Sequence, residues 1–141
     1  MSMDRSLFVP GLPPLPPGGV EVRDTPGRGR GVFATRRFHH GEVIERAPVI
    51  VVPRSLIAPL KGSLLDDYWF QWGEHDGAYA LGWASLYNHR CPSNATFTCD
   101  HAARTVVIST VRDIAPGEEI LINYHGTPDD PDPLWFPITP A

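Results

Sequence analysis

The most distinctive run of the sequence is Asn88-His89-Arg90-Cys91-Pro92-Ser93-Asn94. By itself, this composition is typical of a core crossing in which amide and imidazole groups satisfy buried backbone atoms. A second interpretation is a metal site, because His89-x-Cys91 and Cys99-x-His101 form a mirror-image set of zinc-ligand types. Structural zinc sites mostly use other ligand spacings, so the run alone leaves both interpretations open.

Upstream of this run lies a glycine loop, Gly27-Arg28-Gly29-Arg30-Gly31-Val32-Phe33. Glycine-rich backbone can bring its N–H and C=O groups close to a ligand. The loop is not a P-loop, because no Gly-Lys-Ser/Thr follows, and it does not open a helix as a dinucleotide-binding fingerprint must. Taken alone, it is typical of a hairpin turn.

Downstream lies a third segment, Pro116-Gly117-Glu118-Glu119-Ile120-Leu121-Ile122-Asn123-Tyr124. Its apolar end predicts a strand that finishes in a tyrosine. Seen alone, a tyrosine at such a position is typical of a packed aromatic residue rather than a catalyst.

Together and in this order, the three segments resemble the SET-domain family of protein lysine methyltransferases. Residues 88–94 are similar to the family's Asn-His-Ser-Cys-x-Pro-Asn motif, and residues 117–124 to its Gly-Glu-Glu-Leu…Asp-Tyr motif. Three departures stand out: Arg90 replaces the usual serine, Pro92-Ser93 inverts the usual order, and Asn123 replaces a frequent aspartate. The sequence shows no cysteine-rich zinc segment of the kind that follows the domain in many members.

The resemblance implies a mostly β, β-clip-like fold in which small sheets surround a knot-like crossing, with few short helices. It covers roughly residues 20–126, which we expect to form a minimal SET domain. Residues 1–19 are rich in proline and glycine and predict an extended arm. Residues 127–141 form a proline-rich tail, the candidate segment for closing the cofactor pocket.

The resemblance also implies a site for S-adenosylmethionine and a narrow channel for the substrate lysine, with no metal. Tyr124 would be the catalytic residue, orienting the amine or the methyl group through its hydroxyl. The residues implied to bind the cofactor are Arg28, Gly29, Arg30, Asn88, His89, Tyr124 and Trp135. The residues implied to line the channel are Tyr87, Phe97 and Trp83.

Local patterns predict short strands and little helix. Apolar, β-rich runs between turn signals predict strands at residues 20–23, 32–34, 43–52, 105–111 and 120–124. Ser63 predicts the N-cap of a helix, because the apolar residues that follow would share one face. Those residues are Leu64, Leu65, Tyr68, Trp69 and Trp72. A second short helix or turn is predicted at residues 84–87.

Composition narrows the class of protein. The 141 residues suffice for one domain. No run approaches the roughly 18 apolar residues of a membrane span, and the first residues do not resemble a signal peptide. We therefore expect a cytoplasmic protein with no membrane contact. The net charge of −4 argues against direct nucleic-acid binding.

The expected partner is a protein substrate that bears a lysine. A homodimer is a candidate assembly, because a minimal SET domain could use a second copy to complete its pocket. The chain itself holds eleven arginines and a single lysine, Lys61. Its two cysteines are too few for a disulfide framework.

Two other functions remain open at this point. One is a SET-like domain that binds S-adenosylmethionine, or serves as an interaction module, with little turnover; Arg90 and the inverted Pro92-Ser93 pair motivate it. The other is a small zinc-bound β domain that uses His89, Cys91, Cys99 and His101.

Overall fold

A computed structural model describes residues 8–131 of the chain. That range contains nine strands, one short α-helix and three 3-10 turns. The strands are β1 (Val20–Thr25), β2 (Gly29–Ala34), β3 (Val43–Pro53), β4 (Trp69–Trp72), β5 (Asp76–Ala80), β6 (Asn88–His89), β7 (Ala95–Asp100), β8 (Thr105–Thr110) and β9 (Glu119–Ile122). The helix is α1 (Arg54–Ile57), and the 3-10 turns are Ala58–Leu60, Leu64–Asp67 and Ala84–Leu86.

The strands form two sheets. One has the order β1-β2-β9-β6 and the other β4-β5-β3-β8-β7. All pairings are antiparallel except that of β6 with β9, which is parallel. The long strand β3 holds the larger sheet together, because its first part pairs with β8 and its second part with β5. The mostly β SET-domain fold expected from the sequence is confirmed.

Strand β9 is enclosed by the rest of the smaller sheet. It pairs with β2 on one side and with β6 on the other. The Asn94 side chain makes two further hydrogen bonds to the backbone of β9. Its Oδ1 accepts from the Leu121 N–H at 2.8 Å, and its Nδ2 donates to the Glu119 backbone oxygen at 2.9 Å. The segment that ends in Tyr124 therefore runs between the glycine loop, which leads into β2, and the Asn88–Asn94 run, which begins with β6. This arrangement forms the expected crossing.

Both sheets contribute to one hydrophobic core. The apolar side chains of the core come from β2 and β9 of the smaller sheet, from β3 and β8 of the larger one, and from connecting loops. Fully buried members include Val32, Phe38, Ile44, Ile108, Ile114, Ile120 and Ile122. Burying one such side chain contributes about 1.5–3 kcal/mol, which fixes the two sheets against each other.

The described part of the N-terminal arm, residues 8–19, packs along the domain. Leu15 and Arg46 exchange backbone hydrogen bonds of 3.0 and 2.9 Å beside β3. The Gly11 N–H donates to Oδ2 of the buried Asp100 at 2.7 Å. These contacts hold the extended backbone against the larger sheet.

The helix predicted after Ser63 is wrong. Residues Leu64–Asp67 form a single 3-10 turn, and the aromatic residues that follow form β4, which pairs with β5. Leu64 and Leu65 are 75% and 50% exposed and do not join the core. Aromatic residues favour strands, and the ladder with β5 satisfies the backbone over four residue pairs, so tertiary pairing overrides the local helical spacing.

The other local predictions agree with the structure. The five predicted strands overlap β1, β2, β3, β8 and β9, and residues Ala84–Leu86 form the predicted short turn. Strands β4, β5 and β7 were not predicted. In the part of the chain that the structure describes, every helix is too short or too polar to cross a bilayer.

Candidate active site

Strand pairing brings His89 next to Tyr124, although they lie 35 residues apart in the chain. The Tyr124 N–H donates to His89 Nδ1 at 3.0 Å, and the two ring centroids are 5.2 Å apart. Because Nδ1 accepts this bond, neutral His89 carries its proton on Nε2. Burial lowers the pKa of His89, and the nearby His125 lowers it further, so the accepting form is favoured.

The hydroxyl of Tyr124 is held in place from the opposite direction. It donates to the backbone oxygen of Tyr87 at 2.9 Å. Burial raises the pKa of Tyr124 to about 12, with a smaller contribution from neighbouring acidic groups. The phenol therefore stays protonated near neutral pH, and its oxygen can still accept a hydrogen bond through a lone pair.

Tyr87 is itself fixed by a buried carboxylate, Glu45 of β3. The Tyr87 hydroxyl donates to Glu45 Oε1 at 2.8 Å, and the Trp83 N–H donates to Oε2 at 3.3 Å. Burial raises the pKa of Glu45, and these two hydrogen bonds oppose that effect. Burial also raises the pKa of Tyr87, as does the charge of Glu45. One carboxylate from the larger sheet thus fixes the chain that leads into β6.

The glycine loop is joined to the other two segments by Glu119. Arg28 makes a bidentate contact with its carboxylate, at 3.1 and 2.7 Å, and the two side chains are only 15% and 9% exposed. Asn88 Nδ2 donates to Glu119 Oε1 at 2.8 Å and to the Arg30 oxygen at 3.1 Å. The side chain of Arg28 is therefore a structural clamp. With both amide hydrogens of Asn88 engaged, its Oδ1 is the atom left to accept from a ligand.

Gly31 is required by this clamp. A Cβ at this position would lie 2.5 Å from Glu119 Oε1 and 2.9 Å from Asn88 Nδ2. The loop before it also needs glycine, because Gly29 has a φ of +70° in the turn that joins β1 to β2.

Strand β6 presents backbone groups at the edge of its sheet. The Arg90 N–H donates to the Ile122 oxygen at 3.0 Å, towards β9. Successive residues of a strand direct their backbone groups to opposite sides, so the N–H and C=O of His89 face away from β9. An adjacent donor and acceptor at an edge can bind a planar base.

A cavity of about 630 Å³ opens beside Tyr124. Of the predicted channel residues, Tyr87 and Phe97 line it, whereas Trp83 lies outside the lining and packs partly buried against the core. Phe97 meets Phe70 edge to face, with 5.0 Å between ring centroids. The cavity is lined by Lys61, Asp66, Asp67, Tyr68, Trp69, Phe70, Gln71, Ala84, Ser85, Tyr87, Phe97, Ile122, Tyr124, His125 and Gly126.

Some residues of this site can be identified from the sequence and others cannot. Trp135 lies outside the described residues. Glu45 and Glu119 are site residues that the sequence prediction does not include. The Gly-Glu-Glu sequence could have indicated Glu119. The only indication of Glu45 is an acidic residue within an otherwise apolar strand.

The residues proposed as zinc ligands do not converge. Within residues 8–131, no group of three or more His, Cys, Asp and Glu side chains is arranged to hold a metal ion. Cys99 lies against the Gln71 oxygen at 3.8 Å, and the His101 ring packs on Trp72 with 4.5 Å between centroids. The geometry gives no support to a zinc-bound β domain.

Comparison with known proteins identifies the family of this chain. The SET-domain family model matches residues 29–125. A histone-lysine N-methyltransferase of Schizosaccharomyces pombe, specific for H3 lysine-37, is 31% identical over 118 residues, covering 83% of this chain and 76% of the relative. The crystal structure of a candidate histone methyltransferase from Plasmodium falciparum superimposes with a TM-score of 0.57 at 26% identity, covering 75% of this chain and 92% of that one. The chain belongs to the SET-domain family.

Proposed function

We propose that this protein is a protein-lysine N-methyltransferase that uses S-adenosylmethionine. The observation that carries the proposal is the position of Tyr124 between two regions. Its ring borders the cavity, which is the second region. The glycine loop and Asn88 form the first region and lie outside the cavity lining. They are connected to Tyr124 by His89, which follows Asn88 and accepts the Tyr124 N–H. This two-sided arrangement suits a cofactor on one side of Tyr124 and a lysine on the other.

The residues of the first region fit the cofactor chemically. Asn88 offers Oδ1 as an acceptor, the outer edge of β6 offers the N–H and C=O of His89, and Gly31, without a Cβ, lets Glu119 and Asn88 approach closely enough for Glu119 to hold the Asn88 amide in place. Backbone of Gly29 and Arg30 would contact the methionine part, and Trp135 stays a prediction for stacking on adenine. S-adenosylmethionine, which SET-domain methyltransferases generally use, supplies an electrophilic methyl group on a sulfonium.

The second region fits a lysine side chain. The rings of Tyr87 and Phe97 make the cavity wall next to Tyr124 largely apolar. A free lysine has a pKa of about 10.4, and transfer into such surroundings favours the uncharged amine that can attack. Tyr124, with its raised pKa, is not a base; its oxygen instead orients the amine for in-line transfer.

The rim of the cavity favours a cationic substrate. Asp66 and Asp67 lie there, and carboxylates attract positively charged chain segments. The Schizosaccharomyces pombe relative is named for a histone lysine. We infer that the substrate is a protein with a lysine in a basic segment. A cytoplasmic location stays a prediction, and a histone substrate would instead require a nuclear one.

The fold accommodates the two departures that motivate the low-turnover interpretation, Arg90 and the Pro92-Ser93 order. The side chain of Arg90 is exposed, and its N–H keeps the bond to Ile122. Ser93 is buried, and its hydroxyl donates to the Ala95 oxygen at 2.8 Å. The Arg90 backbone thus supports the crossing, and Ser93 stabilises the turn within its own segment, which favours a working enzyme over a module with little turnover.

Labelled S-adenosylmethionine and a lysine-rich protein test the proposal. We expect label in lysine with the wild-type protein and little with Tyr124→Phe. Binding of S-adenosylhomocysteine, measured by calorimetry, reports the cofactor region separately. Binding without transfer to any lysine-rich protein would favour the low-turnover module, and absence of binding would overturn the proposal.

A further inference from the structure

We propose that Lys61, the single lysine of this chain, is a methyl acceptor for the chain's own active site. The inference rests on the proposed lysine methyl transfer. Lys61 lines the same cavity as Tyr124 and Phe97. The Lys61 amine is therefore the proposed modification site, and the sulfonium of S-adenosylmethionine is the methyl donor.

The backbone at Lys61 is held at the cavity rim by a series of tight turns. The Lys61 N–H donates to the Ala58 oxygen at 3.1 Å at the end of a 3-10 turn. The next residue, Gly62, has a φ of +83° and donates its N–H to Asp66 Oδ2 at 3.2 Å. The Asp66 Oδ1 in turn accepts from Trp69 Nε1 at 3.4 Å. The lysine therefore starts from an anchored position.

The side chain of Lys61 can move while its backbone stays in place. The residue is exposed, and its amine sits at the end of a flexible four-carbon stem. An amine tethered at the rim of a cavity has an effective concentration there on the order of millimolar. We therefore expect transfer within one molecule rather than between two.

The chemical step balances without any further reactant. The uncharged Lys61 Nζ attacks the methyl carbon, a carbon–nitrogen bond forms, and the carbon–sulfur bond breaks. The electron pair of the broken bond stays on sulfur, which leaves as neutral S-adenosylhomocysteine. The methylated ammonium then loses its surplus proton to water.

The test is mass spectrometry of the full chain after incubation with S-adenosylmethionine that carries a labelled methyl group. We expect the mass of one or more methyl groups, and peptide mapping that assigns them to Lys61 rather than to the N-terminal amine. Lys61→Arg, which keeps the positive charge, should lose the gain, and Tyr124→Phe should lose most of it. The fraction of chains labelled per unit time should not change on dilution; a fraction that falls in proportion to the protein concentration would overturn transfer within one molecule.

Failure of this inference can be distinguished from failure of the proposed function. A lysine-rich protein in the same reaction that becomes methylated while Lys61 stays unmodified would overturn the inference alone. If nothing is methylated, the rate at which an amine reagent acylates Lys61 tests whether its amine enters the cavity. If it does, S-adenosylhomocysteine should slow the acylation of Lys61. An added peptide with one lysine should then displace the Lys61 amine from the cavity and restore acylation of Lys61. The same peptide with arginine in place of that lysine should not. An unchanged acylation rate would overturn the placement of Lys61 in the site.

Discussion

The Tyr124 hydroxyl donates a hydrogen bond to the backbone oxygen of Tyr87, with 2.9 Å between the two oxygen atoms. Tyr87 immediately precedes the Asn88-His89 strand, and His89 accepts the backbone N–H of Tyr124. The tyrosine is thus held at both its hydroxyl and its backbone by one short stretch of chain. This double attachment fixes the direction of the hydroxyl before any substrate binds.

Replacement of Tyr124 by phenylalanine should affect rate rather than binding. We expect Tyr124→Phe to lower kcat at least about 100-fold, or about 2.7 kcal/mol, because the proposed hydrogen bond between the Tyr124 oxygen and the substrate amine acts mainly in the transition state. The ring and its packing are kept and only the bond to the Tyr87 oxygen is lost, so the free energy of unfolding should fall by no more than about 1–2 kcal/mol. Single-turnover methylation, calorimetry and thermal melting measure the three quantities. Wild-type turnover in the variant would refute the assigned role.

Loss of the Asn88 side chain should weaken cofactor binding. Asn88→Ala removes the Oδ1 acceptor and one partner of the half-buried Glu119, so affinity for S-adenosylhomocysteine should fall at least tenfold, or about 1.4 kcal/mol. Arg90→Ser is a suitable control, because it lies two residues away, is exposed and restores the usual family residue. Calorimetry on both variants checks this. Equal affinity in a folded Asn88→Ala protein would remove Asn88 from the site.

The close approach at Gly31 can be tested against another glycine. Gly31→Ala places a Cβ 2.5 Å from Glu119 Oε1, so we expect a loss of about 1–3 kcal/mol in the free energy of unfolding together with weaker cofactor binding. Gly18→Ala is the matched control, because a Cβ there meets nothing within 4 Å. Urea unfolding followed by calorimetry compares the two. Similar stability for both would show that the clamp tolerates a side chain.

Acid should destabilise the protein through His89. Its pKa is lowered from 6.5 by burial and by His125, so the unfolded chain binds a proton more readily than the folded one. The contribution of His89 to stability is therefore present above pH 6.5 and is lost as pH falls through the lower folded pKa. Protonation at Nδ1 also breaks the bond from Tyr124. Unfolding at several pH values should show a weaker pH dependence for His89→Asn; an identical dependence would contradict this role.

The pair formed by Glu45 and Tyr87 should behave as one unit. Tyr87→Phe leaves a buried carboxylate oxygen without its donor, which should cost about 1–3 kcal/mol. A double-mutant cycle with Glu45→Gln should give a coupling energy of about 0.5–3 kcal/mol. Tyr79→Phe is the control, because that hydroxyl makes a long, 3.4 Å bond at the surface. Additive effects of the two changes would show that the pair does not position the chain before Asn88.

Much of this molecule could be predicted from sequence because the informative patterns are local. Strands such as β3 and β8 are runs of β-branched residues between turns, and the resemblance of the three motifs to the SET-domain family implies the crossing. The helix after Ser63 could not be excluded, because the pairing of Trp69 with Tyr79 that replaces it is a tertiary contact. The Arg28–Glu119 clamp spans 91 residues, and the Glu45–Tyr87 bond spans 42. Neither pair falls within the short windows over which local sequence patterns predict structure.

Strand β9 is the last strand along the described chain, yet it occupies an interior position between β2 and β6. During synthesis the larger sheet and the β1–β2 hairpin can emerge complete, while β2 and β6 wait for a neighbour. Pairing over such a separation is slow, because the loop must close before its contacts form. The proposed cofactor region therefore forms only when residues 119–124 have been synthesised and have passed between β2 and β6. On the proposed cofactor site, we expect a nascent or truncated chain that ends before Glu119 not to bind the methyl donor, so binding of S-adenosylhomocysteine would report completed folding.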